Sequence, residues 1–393
     1  MRSIQQTFSV RFSYPVHFCE RLFSAENSVL KDILARDGNA GSRKLFFVID
    51  DGVNKHHPKL IEQIKRYAAK HAGLMELCAA PLVIPGGESC KNDSILLDEL
   101  VEAVNEHGID RHSYVIGIGG GAVLDLVGYV ASIAHRGIRH IRIPTTVLSQ
   151  NDSGVGVKNG VNAFGKKNFL GTFTPPYAVL NDSAFLTTLD DRDWRSGIAE
   201  AIKVALIKDA DFFRFIKVNA GKLIARDMQV MQELIYRCAM LHLEHIAGGD
   251  PFEMGSSRPL DFGHWASHKL EGLSNYDIRH GEAVAVGICL DSIYSYLSGM
   301  LRKEELDEVV SLIRDLGFKI YFPELSKNLD SPESPDSVLS GLREFREHLG
   351  GRLTVMLLRK IGKGEEVNEM NFEAIRQSIA ELQKQSVMLK VPH

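Results

Sequence analysis

Three histidines stand close together in Pro259–Glu282, which reads PLDFGHWASHKLEGLSNYDIRHGE: His264, His268 and His280. His264 and His268 are four apart, so on a helix they share a face, one turn from each other. At that spacing two imidazoles reach one metal ion. Asp261 stands just ahead of the pair, and His280 opens onto Gly281-Glu282 and an apolar run that reads as a helix over 283–297. Any one of these histidines alone is an ordinary surface or capping residue; three among glycines and apolar residues point to a site that still lacks an acidic ligand. Glu200 is the candidate for it. Set among Ala199, Ala201, Ile202, Val204 and Ala205, its carboxylate heads for a partly buried position, where it requires a cation or metal. Lys203 lies three residues on, on the same helical face.

A second group has a different chemistry. The strand-like SYVIGI of 113–118 runs into Gly119-Gly120-Gly121 and then an apolar helix over 122–135 that carries Asp125 in its early turns. Glycines between a strand and a helix let the backbone approach a phosphate, which free amides and the helix dipole stabilise. The spacing is not the GxGxxG dinucleotide fingerprint, and a tight turn without a ligand is the alternative. The next strand, over 139–144, ends in Thr145-Thr146, whose hydroxyls project at the carboxyl end of such a sheet. The segment 150–171 (QNDSGVGVKNGVNAFGKKNFLG) is rich in Gly and Asn and holds Asp152, Lys158, Lys166, Lys167 and Asn168. It reads as a loop for a substrate or phosphate, its lysines held among turn residues.

The elements that must position these residues follow an α/β rhythm. Alternation over 6–14 predicts a half-buried strand, and KLFFVID of 44–50 a buried parallel strand. Helices follow over 24–34, 57–72 and 93–107, the last capped by Asp93, with a strand over 81–84 and a final one over 177–180. Strand and helix alternate as in a parallel α/β domain. Beyond residue 185 the pattern turns helical: 193–207, 210–219, 227–247, 265–272, 283–297 and 304–316, then a polar loop over 331–340, a short strand over 352–358 and frayed last residues. We therefore expect an α/β domain over 1–185 and a helical one over 186–393. With 393 residues, 44% hydrophobic and 24% charged, the composition is that of a globular protein with room for two cores. A net charge of −4 argues against a general nucleic-acid binder. The five cysteines are scattered without a CxxC pair, which fits a reducing cytoplasm. The opening MRSI leads into alternation and not an apolar signal region, and no apolar run reaches transmembrane length.

Seven segments, GGGAVLDLVGYVASIAHRG, IPTTVLSQNDSGVGVKNGVN, FGKKNFLGTF, FLTTL, SGIAEAIKVALI, DFGHWASH and RHGEAVAVG, occur in the order and roughly the spacing of the 3-dehydroquinate synthase (sugar phosphate cyclase) superfamily, which the chain resembles from about residue 40 to 300. The resemblance implies a Rossmann-like N-terminal domain that binds NAD, a helical C-terminal domain that holds zinc or another divalent metal such as cobalt, an active site in the cleft between them, and a homodimer. The metal ligands it implies are Glu200, His264 and His280, with His268 near the substrate, whereas spacing alone favours His264 with His268. For NAD it implies Asp50, Glu88, Lys91, Gly120, Gly121, Asp125, Thr145, Thr146 and Thr188. For substrate and phosphate it implies Arg136, Asp152, Lys158, Lys167, Asn168 and Lys203.

The chain also departs from the dehydroquinate synthase pattern. Asp261 stands where those enzymes place an asparagine, Leu243 where they carry a lysine ahead of the acidic pair (Asp250 and Glu253 here), and Ser257 where they carry an arginine, with Arg258 one position off. PLDFGHW…HKLE looks like the cyclases of the 2-epi-5-epi-valiolone synthase type, which act on sedoheptulose 7-phosphate, and the whole chain resembles the EboD-like branch. The activity expected is loss of phosphate from a seven-carbon ketose phosphate and closure of a carbocycle, with NAD reduced and reoxidised in one cycle. 3-Dehydroquinate synthase and an NAD- and metal-dependent polyol dehydrogenase are the alternatives.

Overall fold

The computed structural model describes residues 2–36, 38, 41–255, 259–348 and 350–387. Ser257 and Arg258, two positions of interest above, lie outside the described residues. The chain forms two compact units: residues up to Thr145 with Gly156–Thr187, and Thr146–Val155 with everything from Thr188 on.

The first unit is built on a parallel sheet. Its strands are β1 (Val16–Cys19), β2 (Arg43–Asp50), β3 (Met75–Leu77), β4 (Leu82–Ile84), β5 (Tyr114–Gly119) and β6 (Arg139–Pro144). An antiparallel hairpin follows, β7 (Lys158–Ala163) with β8 (Lys166–Phe173), and β9 (Ala178–Asp182) returns to the sheet. The order is β1-β9-β6-β5-β2-β3, with β4 also beside β2, and every pairing in it is parallel. Both faces are buried, which is why β2 and β5 read as unbroken apolar runs. Leu45, Phe47 and Ile49 join Ile116 and Ile118 in the core beneath α1 (Val29–Ala35) and α3 (Leu60–Lys70). Phe46, Val48 and Val115 point the other way, beneath α4 (Ser94–Glu106) and α5 (Gly121–Ile133). A short α2 (Asp51–His56) follows β2 directly, capped by the Asp50 carboxylate, which accepts from Gly52 N at 2.8 Å and Val53 N at 3.2 Å.

Two expectations are corrected here. The alternating stretch 6–14 is not a strand: Phe8 and Val10 are 79% and 62% exposed, and the strand that pairs with β9 begins only at Val16. Period-two alternation specifies a half-buried strand only where a sheet and a core receive its apolar side. Conversely, most of 150–171 is hairpin and not loop. Gly160 and Gly171 face each other across it, so a tight antiparallel pair hides behind a turn-like composition.

The second unit is helical, with α6 (Asp191–Lys208), α7 (Ala210–Val218), α8 (Ala220–Ile224), α9 (Met228–Ala247), α10 (His264–Leu273), α11 (His280–Leu297), α12 (Lys303–Asp315) and α13 (Ser340–His348). A hairpin, β10 (Val355–Lys360) with β11 (Lys363–Val367), and α14 (Phe372–Val387) complete it. The α11 helix packs against α6, α10, α12 and α14 and is buried along almost its whole length, predominantly apolar as a central helix must be. The α14 helix, not among the expected elements, buries Ile375, Ile379 and Leu382, a helical stripe at i, i+4, i+7; the last residues, expected to fray, lie outside the described residues. The segment 146–155, expected in the first domain, packs in the second unit.

Candidate active site

The α6 helix carries Glu200 and Lys203, one turn apart and almost wholly buried. Lys203 Nζ lies 2.5 Å from Glu200 Oε2. On its other side, Glu200 Oε1 is 3.1 Å from His280 Nε2 and 3.6 Å from His264 Nε2. The histidines arrive from the N-termini of α10 and α11, and two close approaches put them there. Gly263, just before His264, has φ +76°, and a Cβ on it would sit 2.7 Å from the Gly287 carbonyl carbon of α11. Gly281, just after His280, is where α11 meets α6: a Cβ there would lie 2.4 Å from Ser196 O. Only glycine accepts the first conformation cheaply and leaves room for both contacts. Asp291 of α11 then ties down the turn into α10, accepting from Gly263 N and Trp265 Nε1 at 3.0 Å each.

Among the described residues, one ligand atom each from Glu200, His264 and His280 lie within 4.8 Å of one another, and so do those of His268, Glu271 and His280. The His264 and His268 rings are indeed neighbours, with centroids 5.1 Å apart, but the group gathered around Glu200 contains His280 and not His268, which is exposed. Burial raises the Glu200 pKa, and the Lys203 ammonium and His280 outweigh it, leaving the carboxyl at about 2. Burial, with Lys203, His268 and His280 close by, drives the His264 pKa well below its ordinary value. An ionised carboxylate and a neutral imidazole are the proton states that a divalent cation demands of its ligands, and one oxygen with two nitrogens is a zinc-type donor set. The residues fit a metal.

Asp152 joins this cluster from a π-helical turn, Ser149–Ser153, held on α6 by Asn151 Nδ2 donating to Gly197 O at 2.7 Å. His242 of α9 lies against it, Nδ1 to Oδ1 3.0 Å. Burial works against the charge on Lys203, but Glu200, Asp152 and Asp261 outweigh it and hold the pKa above its usual value. His242, against Asp152, and Glu271, against His280, are contacts of this cluster that the sequence reading missed. Each continues a visible stripe: Ile235, Cys238, Ala239 and then His242 on α9, and His264, His268 and then Glu271 on α10.

In the first unit, the expected nucleotide residues gather at the carboxyl ends of the strands. Asp50 ends β2, Thr145 follows β6, and Gly120 caps α5 directly after β5. Glu88 and Lys91 lie in a 3-10 turn, Glu88–Asn92. Lys91 Nζ is 2.8 Å from Asp125 Oδ2 and 3.7 Å from Glu88 Oε1, and donates to Asn168 Oδ1 on the hairpin. Asn162, also missed, donates to Glu88 Oε1 at 3.1 Å and accepts from Asn168 N at 2.8 Å; nothing in its sequence setting marks it out. A Cβ at Gly119 would lie 2.9 Å from Val123 and 3.1 Å from Asp50, so the turn into α5 stays bare, as a phosphate cradle requires. Lys167 is half-buried on β8, and Lys158 is exposed at the start of β7. Arg136 is the exception. It is exposed after the C-terminal end of α5, before the amino end of β6, and so within this unit it stands away from the others. Thr146 and Thr188 belong to the second unit.

A parallel α/β unit followed by a helical unit with a buried carboxylate–imidazole cluster is a two-part enzyme design, and the comparisons match each part separately. Residues 81–196 match the 3-dehydroquinate synthase N-terminal family model and residues 197–333 its C-terminal counterpart. The chain belongs to the 3-dehydroquinate synthase family and is a sugar phosphate cyclase of that family. It is 34% identical to the 3-dehydroquinate synthase of Dictyoglomus turgidum over 74% of this chain and 79% of that one. It is 32% identical to the 2-epi-valiolone synthase of Actinosynnema mirum, over 94% and 92%. Among solved structures it is similar to the 2-epi-5-epi-valiolone synthase of Streptomyces hygroscopicus with NAD+ and Zn2+ bound. That match has a TM-score of 0.85 and 31% identity, and covers 97% of this chain and all of the other. No helix among the described residues is long and apolar enough to cross a membrane.

Proposed function

We propose that this protein converts a seven-carbon ketose phosphate with an uncharged head, sedoheptulose 7-phosphate first, into a carbocycle by loss of phosphate and intramolecular aldol addition. The observation that carries this reading is Asp261, which adds a third carboxylate to Glu200 and Asp152 around the Lys203 ammonium at the position where the dehydroquinate synthase pattern has an asparagine. A substrate carboxylate brought here would meet repulsion, whereas hydroxyls would donate to Asp152 and Asp261. Leu243 supplies no cation on α9.

Glu200, His264 and His280 would hold the metal, zinc or cobalt, and the residues around Gly120, Gly121, Asp50, Glu88, Lys91, Asp125 and Thr145 the NAD, with Thr146 and Thr188 as further contacts. When bound, the metal supplies Lewis acidity towards substrate oxygens and NAD a hydride acceptor that is regenerated within the cycle. Lys203 keeps Glu200 ionised and offers a proton donor beside the reacting hydroxyls. Asp152, braced by His242, orients the polyol chain, and His268 lies at the exposed edge for proton transfer. Lys158, Lys167 and Asn168 form the phosphate-facing group on the hairpin. No net oxidation occurs, so the enzyme is a lyase; we further propose a cytoplasmic homodimer.

The relatives named 3-dehydroquinate synthase, at 34% identity, support a second reading with an acidic substrate. Incubating NAD- and zinc-loaded protein with a panel of seven-carbon sugar phosphates separates the two by phosphate release. We expect sedoheptulose 7-phosphate to be turned over at least tenfold better, in kcat/KM, than the acidic dehydroquinate precursor. Efficient conversion of the acidic precursor would replace the first reading with the second. Accumulating NADH without phosphate release would instead indicate a polyol dehydrogenase.

A further inference from the structure

His280 lies between two carboxylates. Its Nε2 is 3.1 Å from Glu200 Oε1, and its Nδ1 is 2.8 Å from Glu271 Oε1. Glu271 is 4% exposed and rides on α10 seven residues after His264 and three after His268, so all three lie along one stripe. The ring of His280 therefore joins two overlapping ligand groups, Glu200 with His264 on one side and Glu271 with His268 on the other. One neutral imidazole has one lone pair and one N–H, so it can ligate on one side only and must donate on the other.

The depth of the two sides decides between them. Glu200 is fully buried and His264 is 7% exposed, with Lys203 also against them. His268, by contrast, is exposed. We infer that Glu271 is a positioning residue: by accepting the Nδ1–H of His280 it fixes the tautomer whose Nε2 lone pair faces Glu200 and His264, and it holds the ring in that orientation. A buried carboxylate hydrogen-bonded to the far nitrogen of a ligating histidine also raises the basicity of the near one. The second group is on this account a support for the first and not a second metal site. The inference rests on the reading that Glu200, His264 and His280 hold the metal.

The test is zinc affinity, measured on the full-length protein by competition with a chromogenic chelator, together with the visible spectrum of the cobalt-substituted form. Glu271→Ala removes the acceptor and should weaken zinc binding about 10–100-fold. Glu271→Gln keeps an acceptor at the same reach without the charge, and should recover most of that loss and restore the wild-type cobalt spectrum. His268→Ala should leave zinc affinity within about threefold of wild type, since it touches only the supporting group. Thermal unfolding of each apo variant separates a folding defect from a metal defect, and Glu271→Gln answers the question if Glu271→Ala does not fold. Unchanged zinc affinity and an unchanged cobalt spectrum in both Glu271 variants would overturn the inference while leaving the metal assignment standing. Loss of zinc in His268→Ala and Glu271→Ala but not in Glu200→Ala would place the metal on the other side of His280. A wild-type protein that binds no divalent metal would sink the underlying reading and this inference with it.

Discussion

At the scale of single residues, the buried Glu200 carboxylate is the feature most sensitive to its surroundings. It is fully buried and has Lys203 2.5 Å away. Deleting one partner of a buried ion pair leaves a stranded charge and costs about 3–5 kcal/mol. Lys203→Met should therefore destabilise chelator-treated protein by that amount, whereas zinc-loaded protein, in which a cation also meets the carboxylate, should lose much less. Denaturant unfolding of both forms reads the difference, and an equal loss in the two would mean that no cation binds at Glu200. Much of this centre was legible from residue types alone. Three histidines in a short span, and a glutamate in an apolar helix, marked it out before any fold was known. Which imidazole faces Glu200 was not legible from spacing, because it depends on where α6 meets α11, a contact made by Gly281 and Ser196, 85 residues apart.

At the scale of elements, the junction between α10 and α11 sets the position of His264, and Asp291 holds it. Two N–H groups favour its ionised form, yet burial outweighs them and pushes the carboxyl up to about 7. The folded pKa thus lies above the unfolded one, so the folded state binds the proton more tightly. The stabilisation is complete below about pH 4 and is lost as the pH rises towards 7, amounting to about 4 kcal/mol over that range. Asp291→Asn keeps the shape but has no charge to lose, and gives up one acceptor for about 1 kcal/mol. Its melting temperature should lie below wild type at about pH 4, cross it near about pH 4.5 and lie above it at about pH 8, whereas two curves that run parallel would show that Asp291 does not titrate here. Elements with clear periodicity were readable in advance, as with the strand over 139–144 and the helices around Glu200 and His280. The β7–β8 hairpin was not, since Gly160, Gly171 and three asparagines carry a turn composition in what is regular structure. The stretch 6–14 erred the opposite way, because alternation alone does not supply a neighbouring strand.

At the scale of the whole molecule, the proposed nucleotide and metal residues lie for the most part in different units, each with its own core. Emptying one site should then spare the other. Gly120→Val places a branched side chain where backbone must approach the pyrophosphate. We expect calorimetry to show NAD affinity reduced at least tenfold while the zinc content of the same sample stays at wild-type level. Unchanged NAD affinity in a folded variant would place the nucleotide elsewhere. The two-part plan was readable from the change in texture near residue 185, but the excursion of 146–155 into the helical unit was not, since it rests on tertiary packing against α6 and α9, with Val147 and Leu148 close against Gly197 and Asn151 bonded to it. That excursion means the polypeptide passes between the units three times, after Thr145, Val155 and Thr187. The halves are therefore not interchangeable modules joined by a single tether. A gene fragment starting at Thr188 would encode Glu200, His264 and His280 and still lack Asp152, so recombination at the obvious border would yield a helical half with the proposed ligands but without the residue proposed to orient the substrate.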